Sequence, residues 1–170
     1  MAVPLAYFIT FTTYGTWLHG RGQGSVNREH NLPGNPFLPT NAKLESARQG
    51  VMSQDPYLLD EPKRAVVLNT ILEVAKHRGW KLWAVHVRTN HIHIVVTANP
   101  KPEKVMADLK AWASRRLKES FGESPDRTRW TQQGSTKWLN SMEAVDASIG
   151  YVVEGQGEAM ACFDGRKEPA

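Results

Sequence analysis

An apolar run that carries two histidines constrains this chain most. Residues 89–96 read Thr-Asn-His-Ile-His-Ile-Val-Val, and this β-branched composition predicts a buried strand rather than a helix. Side chains two residues apart on a strand point to the same face, so His91 and His93 project together. Two polar rings on one buried face need partners. The pair therefore indicates a site for a metal ion or a phosphate, with a purely structural role as the alternative.

The size and composition of the chain indicate one domain, residues 1–170. That length is enough to bury a core, and the single cysteine, Cys162, excludes an internal disulfide and a zinc site built from several thiolates. The apolar stretch at residues 1–11 is too short to span a membrane and lacks the basic start of a secretory signal. We expect a cytoplasmic protein with no membrane partner. The net charge of +4 favours an anionic partner.

Apolar periodicity predicts the element order β-α-β-β-α-β-α, with the histidines on the third strand. The first six elements match the ferredoxin-like split-βαβ order, in which strands one and three are central neighbours. We predict an α+β fold: an antiparallel sheet with helices on it and a C-terminal helix that carries Tyr151. Asn140 and Glu143 form a capping-box pattern at the start of that helix. The other elements are expected at residues 5–13, 60–79, 80–88, 102–120 and 133–139.

A segment rich in glycine, asparagine and proline interrupts this pattern. It predicts a long loop or insertion at about residues 15–58, with a short helix near residues 42–52. Arg21, Arg28 and His30 are candidates for contact with a polyanion there. A solvated insertion with scattered charges is the alternative.

The turn between the second and third strands determines which side chains face the histidines. If residues 89–90 form a two-residue turn, Arg88 faces His91 and His86 faces His93 across the hairpin. His86 is then a candidate auxiliary group of the site.

The last predicted helix supplies further chemistry. Tyr151 lies on a face otherwise lined by small residues, and Glu154 follows one turn later on the same face. A helix laid across the sheet would bring both side chains to the histidines. A half-buried tyrosine that anchors the helix is the alternative interpretation.

Two imidazoles, one carboxylate and a phenol suit phosphoryl transfer. His91, His93 and Glu154 can hold a divalent cation such as Mg²⁺, Mn²⁺ or Zn²⁺ with open coordination positions. The phenolic oxygen of Tyr151 would attack phosphorus while the cation polarises a phosphate oxygen. A sugar 3′-oxygen would leave, and a covalent phosphotyrosine would conserve the bond energy for a later joining step.

This combination resembles a known family. The run at residues 90–96, the segment at residues 110–115 and Tyr151 are similar to the single-tyrosine His-hydrophobe-His (HUH) transposases, especially those associated with repetitive extragenic palindromes (REP). The resemblance implies that His91 and His93 bind Mg²⁺ or Mn²⁺ and that Tyr151 forms a 5′-phosphotyrosine. It also implies a substrate of single-stranded DNA with a nearby hairpin. The basic side chains expected to contact DNA are Arg88, Lys104, Lys110, Arg115 and Lys118.

One position departs from the family pattern. The family usually has Asn or Gln four residues after the tyrosine, and here that residue is Gly155. We predict Glu154 as the third metal ligand, with Gln156 as the alternative, because three residues along a helix stay on the face of Tyr151.

Two other functions compete with the transposase interpretation. A histidine-triad nucleotide hydrolase needs a third histidine at position 95, where this chain has Val95. A catalytically retired protein that binds DNA or RNA hairpins through basic and aromatic side chains is the stronger alternative. The sequence leaves open whether the protein is a monomer or a homodimer, and whether Tyr151 acts in cis or in trans.

Overall fold

The structure, a computed structural model, describes residues 4–16 and 53–167. The insertion predicted at about residues 15–58 therefore lies mostly outside the described residues, as do the helix predicted near residues 42–52 and Arg21, Arg28 and His30. The described elements are β1 (Ala6–Thr13), α1 (Glu61–Arg78), β2 (Lys81–Val87), β3 (His91–Thr97), α2 (Pro102–Phe121), β4 (Trp130–Leu139), α3 (Met142–Glu154), β5 (Ala161–Asp164) and a 3₁₀ helix (Gly165–Lys167).

One antiparallel sheet organises the fold, with the strand order β4-β1-β3-β2-β5. The central neighbours are β1 and β3, so the predicted ferredoxin-like arrangement and the α+β class are confirmed. The structure adds β5, a short strand that the sequence did not predict and that pairs with the outer edge of β2. It also starts β4 at Trp130, three residues before the predicted start.

Local signals explain where the helices begin and end. The Asp60 side chain accepts a hydrogen bond from the Lys63 N–H at the start of α1, and Gly79 ends that helix with a φ of 73°. This left-handed conformation costs glycine little. For α3 the cap is Ser141, whose side chain accepts from the Ala144 N–H, and the predicted cap one residue earlier was wrong.

Alternation along the strands gives the sheet two different faces. Both α1 and α2 pack on one face of the sheet. Every second side chain of β1 and β3 points to that face and belongs to the larger of two hydrophobic clusters, here called the larger core. Of the described helices, α3 is the one that packs on the second face, at the end of the sheet near Ala6 and Val95. The remainder of that face is polar and carries Thr10, His91 and His93. The sheet-side residues of the larger core include Ile9, Phe11, Ile92, Ile94 and Val96.

The residues that lead into α1 are hydrogen-bonded to the chain just after β1 and to the turn between β2 and β3. The Tyr57 N–H donates to the Tyr14 carbonyl at 2.8 Å, and the Leu59 N–H donates to the Thr89 carbonyl at 2.8 Å. The second bond joins the start of α1 to the turn of the β2–β3 hairpin. No described helix is long and apolar enough to cross a membrane.

Candidate active site

The two predicted histidines lie side by side on the polar face of the sheet. Their ring centroids are 4.8 Å apart, and the rings are inclined at 72°. The His93 Nδ1 lies 2.7 Å from the hydroxyl of Thr10, its cross-strand neighbour, and the His91 Nδ1 lies 2.7 Å from the side-chain oxygen of Asn90. Both Nδ1 atoms are thus engaged, which makes Nε2 the nitrogen with which each ring can bind a cation.

Burial favours the uncharged form of both rings. Burial, followed by the neighbouring His91, lowers the pKa of His93 to about 3. The pKa of His91 is also lowered, chiefly by burial. The nearby Gln156 side chain raises the pKa of both rings, but burial outweighs this effect. A neutral imidazole can bind a metal, whereas phosphate binding gains from an imidazolium, so this site fits a cation better than an anion.

Tyr151 lies over the histidine pair. Its ring centroid is 5.6 Å from that of His93 and 5.9 Å from that of Phe8 on β1. The apolar stripe of α3 is buried as the periodicity predicts, and this orients the tyrosine toward the polar face. The residue is 52% exposed, so its hydroxyl is accessible to a substrate on that face.

Glu154, in contrast, does not join the histidines. Its carboxylate pairs with the Arg166 guanidinium at 3.3 Å, and its side chain is 72% exposed. Arg166 belongs to the 3₁₀ helix that follows β5, a part of the fold that the sequence did not predict. Glu154 thus follows Tyr151 by one helical turn as predicted, but its carboxylate pairs with Arg166, which lies beyond the helix.

Gln156, and not Glu154, lies near the two histidines. The chain turns beyond α3, and the Gln156 side chain comes close enough to His91 and His93 to raise the pKa of both rings. Its amide nitrogen donates to the Tyr151 carbonyl at 3.1 Å, which leaves Oε1 as the atom available to a cation. Among residues 4–16 and 53–167, no three His, Cys, Asp or Glu side chains cluster as a metal site.

The glycine that breaks the family pattern permits this turn. A Cβ atom at Gly155 would lie 2.8 Å from the Tyr151 carbonyl oxygen, closer than a side chain tolerates. Glycine at this position lets the chain leave α3 tightly and bring the next residue, Gln156, back over the sheet.

The predicted hairpin register is confirmed. The Arg88 N–H donates to the His91 carbonyl at 2.9 Å, and His86 pairs with His93 across the β2–β3 ladder. His86 is completely buried, and burial is the main reason that its pKa is lowered.

The basic residues predicted to contact DNA fall into two groups. Arg88 lies beside the histidines. The other four lie on α2, which packs on the opposite face of the sheet, so the structure does not bring them to the site. Lys118 is in the last turn of α2. The remaining three contact their neighbours: Lys104 with Asp108 (2.8 Å), Lys110 with the Thr131 carbonyl (2.8 Å) and Arg115 with the Trp112 ring (4.4 Å).

The fold and the placement of these groups agree with a family-level match. The model of the IS200-like transposases matches residues 53–147, which is more than half of the chain. This chain belongs to that family, and its function is transposase-like. The family identification made from the histidine and tyrosine motifs is thereby confirmed.

Two solved structures are similar to this one. The first is a REP-associated tyrosine transposase bound to a REP hairpin, 12% identical, with a TM-score of 0.47 over 91% of this chain and 68% of that chain. The second is a candidate transposase from Deinococcus radiodurans R1, 18% identical, with a TM-score of 0.44 over 94% of this chain and 95% of that chain. No curated protein has a matching sequence.

Proposed function

We propose that this protein is a metal-dependent single-stranded DNA endonuclease and strand transferase that cuts near hairpins through a 5′-phosphotyrosine. The observation that carries the proposal is the position of Tyr151, whose ring lies 5.6 Å from that of His93 on the open face of the sheet. A hydroxyl nucleophile beside a cation-binding group is the arrangement that such a transfer needs. Family membership supports the class of reaction, and the hairpin substrate rests on the resemblance of the motifs.

The donor set fits a divalent cation. His91 and His93 would bind it through Nε2 and Gln156 through Oε1, and all three donors are uncharged. When bound, Mg²⁺ or Mn²⁺ polarises a phosphate oxygen and stabilises the negative charge that develops during transfer. We assign the third ligand to Gln156 rather than Glu154, because the Glu154 carboxylate pairs with Arg166.

The protein residues carry out the transfer itself. The Tyr151 oxygen forms a bond to phosphorus as the bond to the sugar 3′-oxygen breaks, and the phenolic proton passes to solvent at this exposed position. The released 3′-oxygen takes a proton and becomes a hydroxyl. The reverse attack by another 3′-hydroxyl restores the phenol and joins two strands.

One chain holds both the histidines and the tyrosine, so we propose that a monomer can act in cis. Among the basic residues, Arg88 is proposed as the phosphate contact nearest the site. The four residues on α2 stay predictions for DNA bound away from it.

A covalent adduct is the direct test of this proposal. Incubation with single-stranded oligonucleotides that carry a hairpin, in the presence of Mn²⁺, is expected to give a denaturation-resistant species. Its mass should equal that of the protein plus the 5′-phosphorylated DNA fragment less one water. The same mixture with EDTA is the control. Intact binding without adduct across a broad oligonucleotide library would instead support a retired hairpin-binding protein.

Metal titration of two alanine variants separates the two candidate third ligands. Gln156→Ala is expected to weaken Mn²⁺ binding by about tenfold or more, since it removes the amide beside the histidines. Glu154→Ala is its matched control, because the carboxylate lies on the neighbouring turn but faces Arg166, and its affinity should equal that of the native protein. Calorimetric titration measures both values. A loss confined to Glu154→Ala would return the ligand role to the carboxylate.

A further inference from the structure

We propose that His86 is a positioning residue that holds Tyr151 and Gln156 over the histidine pair. The inference rests on the proposed function. His86 lies on β2, directly opposite His93, and is 0% exposed. A fully buried polar ring is costly unless its hydrogen bonds are satisfied, so its partners show what it stabilises.

Both ring nitrogens of His86 bind backbone groups that lie far away in sequence. Nδ1 is 2.9 Å from the Val152 carbonyl oxygen, and the Met160 N–H donates to Nε2 at 2.9 Å. Since Nε2 accepts, the ring proton is on Nδ1, and one neutral tautomer satisfies both bonds. The Arg88 guanidinium reinforces this arrangement, with Nη1 3.4 Å from Nε2 and 2.9 Å from the Glu158 carbonyl.

These two bonds hold the chain before and after Gln156. Residues 155–160, here called the post-helix segment, connect α3 to β5. Val152 directly follows Tyr151 and precedes the segment, while Met160 is its last residue. Gln156 lies between the two anchored points. A single ring therefore fixes the end of the helix that carries the tyrosine and the segment that carries the amide.

The conformation of the post-helix segment depends mainly on hydrogen bonds. All of its residues except Gln156 are exposed, so apolar packing contributes little. Gly157 has a φ of 78°, a conformation that is available to glycine but does not restrict it. A segment with few buried contacts depends on its hydrogen bonds for order. The bonds to His86 and Arg88 therefore act together with the Gln156–Tyr151 bond and the Gly155 N–H bonds to α3 in determining where Gln156 lies.

Two substitutions that replace His86 with an amide side chain test its two hydrogen bonds one at a time. The asparagine amide nitrogen occupies the position of Nδ1, so His86→Asn keeps the donor to Val152 and loses the acceptor for Met160. The glutamine amide reaches the position of Nε2, so His86→Gln keeps the acceptor and loses the donor. We expect His86→Asn to loosen mainly Gln156 and His86→Gln to loosen mainly Tyr151.

Two measurements detect the loosening of Tyr151 and of Gln156. In protein labelled with 3-fluorotyrosine, the ¹⁹F resonance of position 151, assigned by its loss in Tyr151→Phe, is expected to shift or broaden in His86→Gln without metal or DNA. Mn²⁺ affinity is expected to fall by about tenfold to a hundredfold in His86→Asn, the usual effect of losing an outer group that orients a ligand. Arg88→Met leaves the buried ring in place but removes the guanidinium bonds to His86 and the Glu158 carbonyl, so its ¹⁹F resonance should also shift or broaden, which keeps the test valid if a ring variant does not fold.

Val67→Ala is the stability control. Val67 is fully buried under the opposite face of the sheet, so this variant lowers stability without touching the site. Its fluorine spectrum and Mn²⁺ affinity should match those of the native protein. If the His86 variants behave like Val67→Ala, the role of His86 is only structural and the inference is overturned. The fluorine signal needs no cleavage, so an absent adduct with a shifted resonance would reject the proposed function and keep the positioning role.

Discussion

Replacement of Tyr151 by phenylalanine is expected to abolish strand cleavage and to leave hairpin DNA binding nearly unchanged. The substitution removes only the hydroxyl, while the ring that lies 5.6 Å from His93 and 5.9 Å from Phe8 stays in place. Loss of an attacking group lowers the rate by roughly 10³-fold or more. Denaturing gels measure cleavage and adduct, and fluorescence anisotropy with a labelled hairpin measures binding.

Tyr7→Phe is the matched control for that experiment. It makes the same chemical change on β1, at a side chain that is 7% exposed and packs in the larger core on the other face of the sheet. Cleavage by this variant should equal that of the native protein. Strand cutting that persists in Tyr151→Phe would place the nucleophile elsewhere and remove the basis of the proposed mechanism.

Substitution of His93 by alanine is expected to remove metal-dependent cleavage almost completely. The ring is one of two neutral imidazoles on the polar face, and without it the cation would lose a donor that Thr10 already orients at 2.7 Å. We expect Mn²⁺ affinity to fall by more than about a hundredfold. Calorimetric titration and cleavage as a function of Mn²⁺ concentration test this, and His91→Ala should behave in the same way.

His77→Ala controls for the loss of a histidine as such, because His77 is exposed near the end of α1 and should not affect either measurement. Cleavage that is unchanged in EDTA, or in His93→Ala, would rule out the metal site. A mixture of Tyr151→Phe and His93→Ala proteins adds a test of the cis arrangement. Restored cleavage in that mixture would show that one chain supplies the tyrosine to the histidines of another.

Strand periodicity predicted the part of the site that lies on the sheet. Alternation within β3 is a property of neighbouring residues, and it places both histidines on one face without any knowledge of distant contacts. The two-residue turn at residues 89–90 fixed the pairing of β2 with β3, and this is why His86 was correctly placed opposite His93.

The part of the site beyond α3 was not predictable by the same reasoning. Helical spacing relates the positions of side chains only within a helix, and α3 ends at Glu154. The reversal that brings Gln156 to the histidines depends on Gly155 and on hydrogen bonds to β2, which are separated from it by many residues. Arg166, which pairs with Glu154, follows a strand of only four residues, too short to show a periodic pattern.

The alternation along β3 also links the folding of this protein to the assembly of its histidine pair. A slip of one residue against β1 would turn His91 and His93 into the larger core and expose Ile92 and Ile94. Each imidazole buried without a partner costs roughly 1–3 kcal/mol, so such a molecule would be unstable. A copy that has reached its stable form has therefore also built its histidine pair correctly.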